Sequence, residues 1–167
     1  PHCTTTRSTS HHRPQTLRPT TVVEFGTSYG ISTLYLAAGV LDNRAGRVLS
    51  TELSAVKVAA ARANLAEAGA AHVVHILPGD ALQTLATVDA AIGLVLLDGW
   101  KDLYLPVLRM LEPKLAPGAL IVGDDTSLAT VQPYLDYVRD PTNGYIGVNF
   151  PVEDGMEISC RLIVLGA

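Results

Sequence analysis

From Thr21 onward, short runs of branched apolar residues alternate with stretches in which apolar residues recur every three or four positions. The first pattern is that of buried strands, the second that of helices packed on one side. Strands are predicted at 21–25, 47–51, 71–77, 92–97 and 119–122. Between them, Ile31, Leu34, Tyr35 and Ala38 mark a helix that stops at Gly39. Val58, Ala61, Leu65 and Ala68 mark a second, capped by Ser54 and stopped by Gly69. A short helix is expected over 81–86. Leu103, Leu108 and Leu111 lie on the next, ended by Glu112-Pro113, and Leu128, Val131 and Leu135 mark the last. Asn143-Gly144 opens a final strand pair, 145–150 and 157–165, joined too briefly for a crossover helix and so read as an antiparallel hairpin.

Five βα units closing on a hairpin predict an α/β fold: a doubly wound, Rossmann-like, mostly parallel seven-stranded sheet with an antiparallel C-terminal hairpin strand. Residues 21–167 form this domain. Residues 1–20, rich in Thr, Ser, His and Pro with almost nothing apolar, read as a disordered or atypical lead. That lead has no apolar core of a secretory signal, and His2, His11 and His12 in it are read as incidental.

Composition narrows the classes. A chain of 167 residues with 48% hydrophobic and 17% charged residues supports one well-filled core. No apolar run reaches the roughly 18 residues of a membrane helix. A net charge of −4 gives no general affinity for nucleic acid or an anionic membrane. Cys3 and Cys160 have neither metal-ligand nor redox spacing, so a reduced, cytoplasmic protein is expected.

Chemistry gathers at strand ends, where open α/β sheets bind ligands. Leu94-Val95-Leu96-Leu97 stops on Asp98, and Leu120-Ile121-Val122-Gly123 stops on Asp124-Asp125. Neighbouring strands lie about 4.8 Å apart, so these three carboxylates are placed to converge. They would repel one another without a cation between them, which predicts a hard divalent metal.

Earlier in the chain, Glu24-Phe25-Gly26-Thr27-Ser28-Tyr29-Gly30 opens a helix with glycines four apart. Glycines let backbone approach a ligand, and a helix N-terminus offers free N–H groups to an anion. The spacing is not that of a dinucleotide turn, where Ser28 or Tyr29 would crowd a pyrophosphate. It suits a smaller anion such as an amino-acid carboxylate, with Ser32 as a hydroxyl donor. Glu52, at the second strand end, is placed to accept both hydroxyls of a ribose. Asp80, followed by Ala81 at the third, can accept from an adenine amino group or simply cap a helix. Carboxylate, ribose and adenine across three strand ends describe S-adenosylmethionine.

On these residues the chain resembles the class I S-adenosylmethionine-dependent O-methyltransferases. It is most similar to the metal-dependent type of the catechol and caffeoyl-coenzyme A enzymes and their small bacterial relatives. Val23-Glu24-Phe25-Gly26 through Gly30 resembles their first cofactor motif. Leu97-Asp98-Gly99-Trp100-Lys101-Asp102, with the Tyr-Leu-Pro that follows, resembles the catechol enzyme's Leu-Asp-His-Trp-Lys-Asp stretch. The resemblance implies Asp98 and Asp124 as ligands of a divalent metal, most fittingly Mg²⁺. Asp125 stands where the family has asparagine. It implies Lys101 as general base and Trp100 beside adenine and substrate, while Gly99 replaces a histidine. The implied substrate is a small hydroxylated, catechol-like aromatic. Relatives carry helices before the first strand that cover the cofactor; here that place holds the polar lead, and an uncovered sheet face favours a homodimer.

Trp100 and Tyr104 are the aromatics best placed to stack on a planar substrate, whereas Tyr134 and Tyr137 read as packing residues. Three alternatives stay open: a cofactor-binding homologue without catalysis, a metal-independent methyltransferase, and, against the glycine spacing, a nicotinamide-dependent reductase.

Overall fold

The computed structural model describes residues 20–162. The readings made for the polar lead, its histidines and Cys3 therefore lie outside the described residues, Thr20 aside. The first half runs β1 (Thr21–Phe25), α1 (Ile31–Asp42), β2 (Arg47–Glu52), α2 (Ala55–Glu67), β3 (Val74–Pro78) and α3 (Ala81–Thr84). The second runs β4 (Ile92–Leu97), α4 (Tyr104–Leu111), β5 (Leu115–Asp124), α5 (Gln132–Arg139), β6 (Tyr145–Phe150) and β7 (Met156–Arg161).

The seven strands form one sheet in the order β3-β2-β1-β4-β5-β7-β6. All lateral pairs from β3 to β5 are parallel. β7 runs antiparallel to both neighbours, so it is the one reversed strand, as the brief final connection predicts. Side chains of β1 alternate between the faces. Val22 joins Val48, Val58 and Leu65 under α1 and α2, whereas Val23 and Phe25 join Leu108, Tyr104 and Tyr134 under α4 and α5. Over the parallel strands both faces are covered, which is why those strands are nearly continuous apolar runs, whereas β6 is exposed beyond Tyr145.

Element ends differ from the sequence reading in several places; the last strand ends at Arg161, and 163–165 of the stretch expected to continue it lie outside the described residues. α1 continues through Gly39 to Asp42, since a glycine weakens a helix without ending it; the reversal comes at Arg44 and Gly46, both with positive φ. Residues 71–73 form a turn, so β3 starts at Val74, and Ala70 rather than Ala68 fills the core beneath α2. β5 begins at Leu115, because a register shift between Ile92 and Leu94 lets Pro117-Gly118 bulge out of the pairing. Leu128 is exposed and precedes α5, which takes its packing from Val131, Leu135 and Val138.

The strand order reverses between β1 and β4, opening a crevice at their carboxyl ends. Register brings the chemistry there. Phe25 pairs with both Thr51 and Leu97, and Leu97 with Gly123, so Glu52, Asp98 and Asp124 emerge along one edge. Among the described residues no helix is long and apolar enough to cross a membrane.

Candidate active site at the carboxyl edge of the sheet

The turn after β1 is a close backbone approach. Gly26 has φ +107, and a Cβ there would lie 2.6 Å from the carbonyl oxygen of Asp98. No side chain fits between these two chain segments. Gly30, at φ +88, leads into α1 beside the Ala61 side chain of α2. Much of the turn's hydrogen bonding is spent inside the fold. The N–H groups of Gly26 and Thr27 donate to the Thr51 carbonyl, and that of Gly30 donates to Thr27. Thr27 is buried with its hydroxyl on Ser50, and Tyr29 is exposed beneath the Lys57 ammonium.

Glu24 lies beneath this turn, fully buried. Its carboxylate accepts from the hydroxyls of Ser32, Thr33 and Ser50. Burial pushes its pKa up, and the three hydroxyls oppose that rise. Glu24 and Ser32 thus satisfy each other and brace the turn from below; neither lines the crevice.

The crevice is a cavity of about 530 Å³ between the ends of β1, β2, β3 and β4. Gly26, Ser28, Glu52, Asp80, Ala81 and Trp100 all line it. Glu52 is oriented by two backbone donors, Ser28 N–H at 2.9 Å and Ser54 N–H at 2.8 Å, one on each carboxylate oxygen. Each oxygen keeps a lone pair for a ligand hydroxyl. Asp80 caps α3 by accepting from Leu82 N–H at 2.8 Å, and it also lines the cavity. Trp100 stands at the rim with 73% of its surface exposed.

At the β4–β5 end, Asp98, Asp124 and Asp125 each present a carboxylate oxygen within 4.8 Å of the others. The convergence read from strand adjacency is met. Asp125 reaches the cluster because its backbone turns left-handed, φ 52, a conformation Asp and Asn tolerate better than other side chains. The β6–β7 loop supports this corner, as Thr126 N–H donates to Gly155 and Ser127 N–H to Asp154. Burial raises the pKa of Asp98; Lys101 opposes that rise, and the neighbouring Asp124 and Asp125 add to it. An all-oxygen donor set of clustered, half-buried acids fits a hard divalent cation.

Lys101 supplies the positive charge of this corner. Its Nζ lies 2.8 Å from Asp125 and 3.5 Å from Asp98, and it donates to the Tyr104 hydroxyl at 2.8 Å. Tyr104 in turn donates to the Asp124 carbonyl at 3.1 Å. Tyr104 was expected to stack on substrate, but it is fully buried and offers no such surface. Its ring packs edge-on between Phe25 and Tyr134, at centroid distances of 6.3 and 5.7 Å. Tyr134 is a packing residue, as read.

Several lining residues escaped the sequence reading, Thr51 and Leu103 among them. Phe25, Leu53 and Lys57 line the cavity. Phe25 carried a signal, standing directly before the glycine turn on a strand whose end faces the crevice. Leu53 and Lys57 carried none, because a leucine and a lysine flanking a helix cap look like surface.

Residues 23–126 match the protein family described as "Methyltransferase domain". The chain is 31% identical over 160 residues to catechol O-methyltransferase B of Danio rerio, spanning 87% of this chain and 60% of that protein. To the catechol O-methyltransferase of Mycobacterium tuberculosis it is 35% identical over 105 residues, spanning 62% of this chain and 47% of that protein. The chain thus covers about half to three-fifths of the length of these curated relatives. The structure of the O-methyltransferase TomG from Streptomyces achromogenes, in complex with S-adenosylmethionine, superposes with a TM-score of 0.78. It covers 87% of this chain and 74% of that one at 22% identity, a likeness of fold. With the family match spanning most of the chain and containing the glycine turn, Glu52 and the acid cluster, this protein belongs to the methyltransferase domain family.

Proposed function

We propose that the protein is an S-adenosylmethionine-dependent O-methyltransferase that methylates a hydroxyl of a small catechol-like aromatic with the help of a divalent metal. The observation that carries this reading is the placement of Lys101 and the three acids beside the glycine-lined cavity. The identity to catechol O-methyltransferases supports the acceptor class.

The cavity residues suit the methyl donor in parts. Glu52, fixed by two backbone donors, accepts from ribose hydroxyls, and Asp80 accepts from the adenine amino group. Trp100 offers its face to adenine and acceptor at the rim. Gly26 keeps the floor flat where β1 and β4 part. Asp98, Asp124 and Asp125 would hold the metal. Bound there, a divalent cation supplies the positive charge that orients a pair of vicinal hydroxyls and lowers the pKa of the reacting one.

The chain's own part in the reaction is positioning and proton transfer. The acceptor oxygen forms a bond to the methyl carbon as the carbon–sulfur bond breaks, and S-adenosylhomocysteine leaves. Lys101 Nζ first releases a proton to solvent and then takes the hydroxyl proton, and Asp125 and Asp98 lie within ion-pair distance of the ammonium that results.

The test is methyl transfer to a panel of small catechols, with and without EDTA, beside Asp98→Ala and Lys101→Ala. Asp98→Ala should lose chelator-sensitive activity; Lys101→Ala should lose turnover while still binding the donor. Full activity in both variants refutes the assignment, and activity indifferent to EDTA points to the metal-independent alternative.

A further inference from the structure

Lys101 has one partner that is neither acidic nor near solvent. Its carboxylate partners, Asp98 and Asp125, have side chains 34% and 37% exposed, whereas Tyr104 is fully buried at the start of α4. The tyrosine ring cannot swing, because Phe25 and Tyr134 hold it edge-on from both sides. Its hydroxyl is therefore a fixed point. It accepts from Lys101 at 2.8 Å and donates its single O–H to the Asp124 backbone carbonyl at 3.1 Å. One oxygen thus joins the end of the lysine to the end of β5.

We propose that Tyr104 is a positioning residue, tying Lys101 from beneath to the backbone of Asp124. The tie is needed because a lysine side chain has four rotatable carbons and here springs from a short 3₁₀ turn rather than a full helix. Asp98 and Asp125 are partly exposed and are the groups a bound cation would engage, whereas the Tyr104 hydroxyl stays where the core holds it. Its kinetic consequence rests on the proposed function; the contact itself does not.

The test uses the full chain labelled with ¹⁵N-lysine and no added metal. The Lys101 ammonium resonance, assigned by its disappearance in Lys101→Met, is compared between wild type and Tyr104→Phe. The variant keeps the ring and its packing and loses only the hydroxyl. Proton exchange at Lys101 should quicken about tenfold, as expected when one charge-assisted hydrogen bond is lost. Unchanged exchange overturns the proposal. If Tyr104→Phe does not fold, the reciprocal measurement serves: the ¹³Cζ resonance of Tyr104 should move in Lys101→Met, and an unmoved signal overturns the tie.

On the catechol panel, Tyr104→Phe should lower kcat about tenfold at unchanged KM for the methyl donor. A lower melting temperature with kcat intact marks a purely structural tyrosine and overturns the proposal. Quickened exchange in a protein that methylates no catechol supports the tie and refutes the functional reading instead.

Discussion

The ring of Phe25 fills the space that a side chain on Gly99 would need: a Cβ built on Gly99 would stand 2.5 Å from the Phe25 Cζ. This is why the position after Asp98 is glycine, where the catechol-type motif has histidine. The aromatic ring from β1 has taken the volume. Gly99→Ala should therefore push Phe25 off its rotamer and cost about 1–3 kcal/mol of stability. Phe25→Leu in the same chain should restore part of it. Denaturant unfolding of the two single variants and the double variant checks this coupling, and strictly additive losses would refute it.

Removing the ammonium from the acid cluster should sharpen its affinity for a cation. Lys101 lies 2.8 Å from Asp125 and 3.5 Å from Asp98, so an incoming ion competes with it. In Lys101→Met the three carboxylates lose their internal counter-charge. Mn²⁺ binding, followed by electron paramagnetic resonance, should tighten about tenfold. Weaker binding would mean that Lys101 assembles the cluster rather than competing for it.

Glu52 joins the turn after β1 to the cap of α2 through two backbone donors. Glu52→Gln replaces one acceptor oxygen with a donor and leaves either Ser28 or Ser54 unsatisfied. Calorimetric titration with S-adenosylhomocysteine should show affinity reduced about 10- to 100-fold, the range for losing charge-assisted hydrogen bonds. The fold should stay intact.

Glu24 predicts a pH effect with a definite sign. Burial raises its carboxyl pKa in the folded chain. Between the ordinary value and that raised one, the native state holds a proton that the unfolded state has released. Stability from this group is thus complete below the ordinary carboxylate pKa and is lost as pH rises through the folded value. Thermal unfolding of wild type should show this fall above about pH 4.5, the group's ordinary value. In Glu24→Gln the share of the fall due to this group should be absent, leaving a shallower slope to which the raised Asp98 still contributes. An identical slope in both proteins would contradict the buried-carboxyl account.

Particular residues show how far the sequence could be read. The acid cluster was legible because a strand's direction is fixed by its apolar run and the next residue must emerge at its end. Once Leu97 and Gly123 are neighbours, Asp98 and Asp124 follow. The reversed strand was legible because a loop of a few residues cannot carry the chain back across the sheet. Glu24 and Ser32 were read as ligand contacts, and only the structure shows that they also hydrogen-bond each other. A motif fixes which residues surround a turn, not which side of the backbone each side chain takes.

By itself the amino-acid order determined the alternation of strand and helix, the edge at which polar groups collect, and the residues that reach that edge, since these follow from hydrophobic period and chain direction. Only the tertiary structure decided how those groups divide their hydrogen bonds. It put Tyr104 in the core under Lys101, turned Glu24 inward, and filled the place of a Gly99 side chain with Phe25. The physical reason is that close packing and hydrogen-bond satisfaction are settled between residues far apart in the chain, where no local pattern records them.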